Sequence, residues 1–186
     1  GNTYSIYNAA IAMACSIVIL FNIPLARILY AKDFFTAWNY SSVLLISIMF
    51  NALTAFLGSI FSAVKDSKVI ASTTVVSAIC NIVLNILMIP KFGALGAAIA
   101  TAASYMVMWM LRLGYARKYI KMNLSLIKDC FVYVLLILQV VVEHTKNHGY
   151  IAQVIIVAVI MLMYRKYIRT IINVLLQKVK TKIGRK

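Results

Sequence analysis

The sequence predicts an all-α polytopic membrane protein, and three observations predict it. Apolar runs follow one another along the chain at 3–26, 34–64, 69–90, 92–111, 124–142 and 149–164. Charge is concentrated between the runs, and the composition is 63% hydrophobic against 12% charged, with mean hydropathy +0.92. The runs show no alternation of apolar and polar residues, which sets them apart from the strands of a membrane β-barrel. About 20 helical residues cross a hydrocarbon core of about 30 Å. One charge at its centre costs about 2.5–3.5 kcal/mol on insertion scales. Helices are the remaining solution, since lipid offers no partner to open backbone. With two prolines and seven glycines, a collagen-like or low-complexity chain is excluded.

The expected spans are about 4–26, 39–64, 69–89, 93–114, 124–142 and 149–165, followed by a basic tail at 166–186. The chain begins at Gly1 and enters an apolar run within three residues, with no basic n-region or small-x-small cleavage site, so it reads as a C-terminal piece of a longer protein. Net charge is +15, from 19 basic and 4 acidic residues. Placing both ends of the chain in the cytoplasm puts fifteen of the 19 basic residues inside. They are Lys65 and Lys68, then Arg112, Arg117, Lys118, Lys121 and Lys128, then all those from Arg165 onward. Arg27, Lys32, Lys91 and Lys146 fall outside. Cytoplasmic loops collect Lys and Arg, so orientation accounts for the charge. Nucleic-acid binding, which needs a basic face with base-reading or stacking side chains, is not expected.

The first segment closes at Asn22-Ile23-Pro24, where proline breaks or kinks a helix, and Arg27, Lys32 and Asp33 follow at the outer surface. Arg27 reads either as an interfacial anchor or as a phosphate partner near the outer mouth. The second segment is dense in small and polar residues, Asn51 among them, suiting close helix contact or a hydrated interior. Lys65 to Lys68 form a cytoplasmic turn. In the third segment Ser77, Asn81 and Asn85 stand four apart and make one polar stripe, which must face protein or water. It either joins helices or lines a pathway. Pro90-Lys91-Phe92-Gly93 makes a short outer turn, and Gly93 and Gly96 open a small-residue face on the fourth segment.

The fifth segment carries Lys128, which can snorkel, and Asp129 near its cytoplasmic end. Glu143, His144, Lys146 and His148 form an outer loop around Asn147-Gly149, read as solvated rather than as a metal site. None of the four carboxylates lies deep in a run, so no acid is expected to couple a proton or cation inside the membrane. Cys15, Cys80 and Cys130 fall in three runs and read as packing residues. No phosphate loop and no Ser/His/Asp or Cys/His constellation is present, so no catalytic residue, metal or cofactor is assigned. In the tail, Ile168, Ile172, Leu175, Val179 and Ile183 recur at spacings of four and three among basic residues. This is either an amphipathic helix for an anionic leaflet or a plain tail that enforces topology.

Residues 81–101, N-I-V-L-N-I-L-M-I-P-K-F-G-A-L-G-A-A-I-A-T, resemble the "N-I-x-L-N … P-x-F-G-x-x-G-A-A-I-A-T" block of polysaccharide flippases in the multidrug/oligosaccharidyl-lipid/polysaccharide exporter superfamily. Pro24 to Tyr30 followed by Asp33-Phe34 is similar to an outer turn of that family, with Ala31 where glycine is frequent. The resemblance covers about residues 4–120. It implies helices nine to fourteen of a two-lobed, fourteen-helix fold, that is, part of the second lobe, with Pro90, Gly93 and Gly96 as structural motif residues. It also implies a function: flipping a polyprenyl-pyrophosphate-linked oligosaccharide across a bacterial inner membrane. Expected partners are that lipid, anionic membrane lipids and other polysaccharide assembly proteins. The substrate-pathway residues to test are Asn51, Ser77, Asn81, Asn85 and Arg27. A multidrug exporter of the same superfamily and a structural membrane anchor are the rival readings.

Overall fold

The computed structural model describes residues 2–120, 125–145, 149–170 and 173. Among these residues the chain is helical, without strands. In order come α1 (Asn2–Leu20), α2 (Asn22–Leu29), a 3-10 turn at Lys32–Ala37, α3 (Trp38–Ala63), α4 (Ser67–Ala116), α5 (Leu126–Glu143) and α6 (Tyr150–Met163). Residues 165–170 are helical as well. Among the described residues, three stretches are long and apolar enough to cross a membrane: Thr3–Leu20, Phe35–Ala63 and Ser67–Ala116.

The 50-residue α4 is two helices. Gly93, at φ 56° and ψ −132°, leaves helical geometry, and the chain reverses there. Contacts across the two limbs pair in reversed order. Gly96 meets Met88, Ser77 and Asn81 meet Ser104, and Arg112 meets Ile70, Thr73 and Thr74. Limbs 67–92 and 94–116 therefore run antiparallel, each long enough at about 1.5 Å per residue to cross a membrane. The turn is tighter than the Pro90–Gly93 segment expected from the sequence, because Pro90 stays inside the first limb. At Gly96 an added Cβ would lie 2.4 Å from the Met88 carbonyl oxygen, so only glycine allows this approach.

The first expected span is also divided. Phe21 leaves helical geometry between α1 and α2, and Pro24 falls in the first turn of α2, where a missing N–H costs little. The many hydroxyls of α3 bond mainly within their own helix. Ser41 donates to Ala37 O, Ser47 to Leu44 O, Thr54 to Phe50 O and Ser62 to Gly58 O. Hydroxyls satisfied this way can sit in an apolar solvent without a second helix.

α3 is the centre of the bundle, and Met49, Phe50, Leu53, Leu57 and Phe61 are buried in it. Tyr4 and Tyr7 of α1 pack on Phe56, while Phe50 meets Trp109 of the second limb and Tyr133 of α5. The helix ends sort into two groups. Tyr4, Trp109, Asp129, Tyr133 and Tyr164 meet at one end, and Asn22, Trp38, Ser42, Glu143 and His144 at the other. The first end also carries the basic residues Lys65, Lys68, Arg117, Lys118, Lys128, Arg165, Lys166 and Arg169. The C-terminal pattern from Ile172 onward lies outside the described residues, apart from Asn173.

Candidate functional site: buried polar contacts between helices

Polar side chains cost free energy in an apolar interior unless paired, so their partners show where the sequence has committed polar chemistry. The longest such feature is a seam between α1 and α5. Tyr133 OH donates to Asn8 Oδ1 at 2.8 Å. Ser16 Oγ donates to Gln139 Oε1 at 2.8 Å, and Gln139 Nε2 returns a bond to Ser16 O at 2.9 Å. Asn22 Nδ2, just past α1, donates to Glu143 Oε1 at 2.8 Å. The partners advance together along both helices, so α1 and α5 run parallel, and the seam extends from one end of the bundle to the other.

A carboxylate stands at each end of the seam. Glu143 is fully buried, receiving Asn22 and the Ser42 hydroxyl, which itself accepts from Asn22 Nδ2 at 2.9 Å. Asp129 is 5% exposed and accepts from Tyr164 OH at 2.8 Å. Glu143 overturns the reading of a solvated outer loop, and Asp129, near the end of its segment as expected, is buried as well. Glu143 was placed in a solvated loop because its neighbours in sequence are polar. Its neighbours in space are α2 and α3, and nothing local in the sequence announces them. His144 beside it is held by Val140 O at 2.9 Å and Asn39 O at 3.1 Å and packs on Trp38. Lys146 and His148 lie outside the described residues, and among those described no three metal-ligating side chains cluster.

The expected stripe of Ser77, Asn81 and Asn85 faces the second limb of α4. Ser77 Oγ donates to Ser104 O at 2.8 Å, Asn81 Nδ2 to Ser104 Oγ at 3.3 Å, and Asn85 Nδ2 to Asn81 Oδ1 at 2.9 Å. Asn85 Oδ1 is buried without a hydrogen-bond partner. Ser77 and Asn81, with Thr74, Thr101 and Ser104 and the apolar Ala78 and Met108, line a notch of about 270 Å³. Asn51 and Arg27 are exposed, on α3 and α2. The structure thus gathers the three stripe residues and leaves the other two apart. Pro90 and Gly93 are exposed at the reversal, and Gly96 is buried under Met88.

Arg112 is a buried cation that its sequence position did not reveal. It looked like a cytoplasmic loop charge. It is 7% exposed and donates Nε to Thr73 Oγ1 at 3.1 Å, Nη1 to Thr54 O at 3.0 Å and Nη2 to Thr74 Oγ1 at 3.1 Å. One guanidinium thereby holds α3 and both limbs of α4. Gly58 on α3 leaves its space, since a Cβ there would lie 2.9 Å from Nη1.

Two proteins are similar to parts of this chain. It is 28% identical over 117 residues to a probable low-salt glycan biosynthesis flippase of Haloferax volcanii, a match covering 62% of this chain and 25% of that protein. It is 28% identical over 92 residues to an uncharacterized membrane protein of Methanocaldococcus jannaschii, covering 50% of this chain and 18% of that one. The chain therefore spans about a quarter or less of the length of the relatives it matches. No protein-family model matches it, and no solved structure does. Apolar helices and these relatives together make it a membrane protein with flippase-like similarity.

Proposed function

We propose that this chain is part of a transporter that flips a polyprenyl-pyrophosphate-linked oligosaccharide across the bacterial inner membrane by alternating access. The observation that carries the reading is the similarity over 117 residues to a probable glycan biosynthesis flippase. The motif block at residues 81–101, whose glycines build the α4 reversal, agrees with it. In this reading α1, α3, the two limbs of α4, α5 and α6 all cross the membrane. The basic end faces the cytoplasm and its anionic lipids. The described helices form part of one lobe, which rocks against the rest of the protein about a site near the bilayer midplane. The protein is a carrier rather than a catalyst, and it works beside other polysaccharide assembly proteins.

Deleting the gene tests this directly. Lipid-linked oligosaccharide should accumulate on the cytoplasmic side while its synthesis continues, and surface glycan should fall. Unchanged surface glycan with no accumulation would overturn the reading.

A further inference from the structure

Resting on the transporter reading, we propose that Asp129 is the site at which this protein binds and releases a coupling proton. Asp129 lies in the first turn of α5 and is 5% exposed. An ionisable group buried among the helices of a membrane bundle is expensive and marks a functional position by default. Its neighbours are contributed by separate helices. Tyr164, past the end of α6, donates to Oδ1 at 2.8 Å. Asn8 of α1 faces the same carboxyl, its Oδ1 taken by Tyr133 and its Nδ2 without a hydrogen-bond partner. Tyr4 of α1 accepts from Trp109 Nε1 of α4 at 2.7 Å, closing the cluster.

The titratable and charged groups around Asp129 are Tyr4, Tyr133 and Tyr164, with Lys128, Lys166 and Tyr167 beyond. The Lys128 ammonium lies over the Tyr164 and Tyr167 rings, 4.7 and 5.2 Å from their centroids. The hydrogen bond to the carboxyl thus comes from a neutral group, the Tyr164 hydroxyl. Tyr164 can donate to Oδ1 whether the acid is charged or not. The second oxygen behaves differently. Ionised, it is an acceptor and suits the spare Asn8 amide donor. When a proton from water at the basic end adds to it, it becomes a donor facing a donor. No other bond forms or breaks, and release returns the proton to water. Protonation thus changes how α5 holds α1, which is the kind of two-state contact a transport cycle needs.

The test uses the full-length protein in two measurements. Infrared pH titration in detergent should show a carboxyl band that Asp129→Asn removes and Asp66→Asn does not. In vesicles, a pH gradient should speed flipping of the lipid-linked oligosaccharide, and Asp129→Asn should lose that acceleration. The variant retains an acceptor oxygen for Tyr164. Should it nevertheless fail to fold, Tyr164→Phe must shift the midpoint of the band. A wild-type band indifferent to both substitutions overturns the proposal, as does gradient acceleration that survives Asp129→Asn. A titrating Asp129 band in a protein that flips no lipid-linked oligosaccharide supports the proton site and instead overturns the transporter reading.

Discussion

At Arg112 a guanidinium is buried against neutral oxygens, and Gly58 supplies the room. A methyl group at Gly58 displaces Nη1 from Thr54 O and leaves a buried guanidinium N–H unpaired, a loss of about 1–3 kcal/mol. Gly114, in the same helix as Arg112, has nothing within 4 Å of a would-be Cβ. Gly114→Ala should therefore be neutral or stabilise by up to about 1 kcal/mol through helix propensity. Thermal unfolding in detergent should separate the two variants, and equal midpoints would contradict this role for Gly58. At the turn between α3 and α4, Tyr119 OH donates to Asp66 Oδ2 at 2.6 Å, holding the Asp66 carboxyl below the usual carboxylate range. The folded value is depressed, so its stabilisation is present above the ordinary carboxylate pKa of about 3.9 and fades as pH falls through the folded value. Tyr119→Phe should lower the unfolding midpoint slightly at neutral pH, and the difference should vanish under acid. A difference that persists once Asp66 is protonated in acid would assign the effect to packing on Phe61 instead.

Among the elements, the α4 hairpin depends most on one backbone conformation. Gly93 holds φ 56° with open space around it, so Gly93→Ala meets no clash and should cost about 1–3 kcal/mol from backbone strain alone. An unchanged unfolding midpoint would mean that the reversal tolerates other geometries. The hairpin was legible in the sequence because its signals are local: two apolar runs, a Pro and two Gly between them, and a polar stripe at helical spacing. The stripe's direction was left open between joining helices and lining a pathway, and the contacts to Ser104 turn it toward the second limb. The seam between α1 and α5 was not legible. Ser16 and Gln139 are 123 positions apart, and each alone reads as an isolated polar residue in an apolar run. Glu143 and Arg112 were misplaced for the same reason, since residues at run ends look solvated until the neighbouring helix is known.

For the molecule as a whole, the same polar residues that cost free energy in lipid fix which helices adjoin. Interhelical hydrogen bonds in membranes contribute about 0.6 kcal/mol each on average, with a maximum of about 1.7. The seam is thus more informative about register and charge than about bulk stability. Parallel pairing of α1 with α5 and reversal within α4 bring most of the described basic residues to one end, which is the asymmetry a membrane protein needs to set its orientation. Movement of a lipid-linked glycan is the activity proposed for the protein. The most direct measurement reconstitutes the full-length protein in vesicles with a polyprenyl-pyrophosphate oligosaccharide and, in parallel, a lipophilic cationic dye. The amount of sugar open to an external glycosidase is then followed over time. A lipid-linked glycan flippase gives protein-dependent exposure of the sugar and no protein-dependent movement of the dye. Dye transport without sugar exposure would contradict the proposed activity and identify a multidrug exporter.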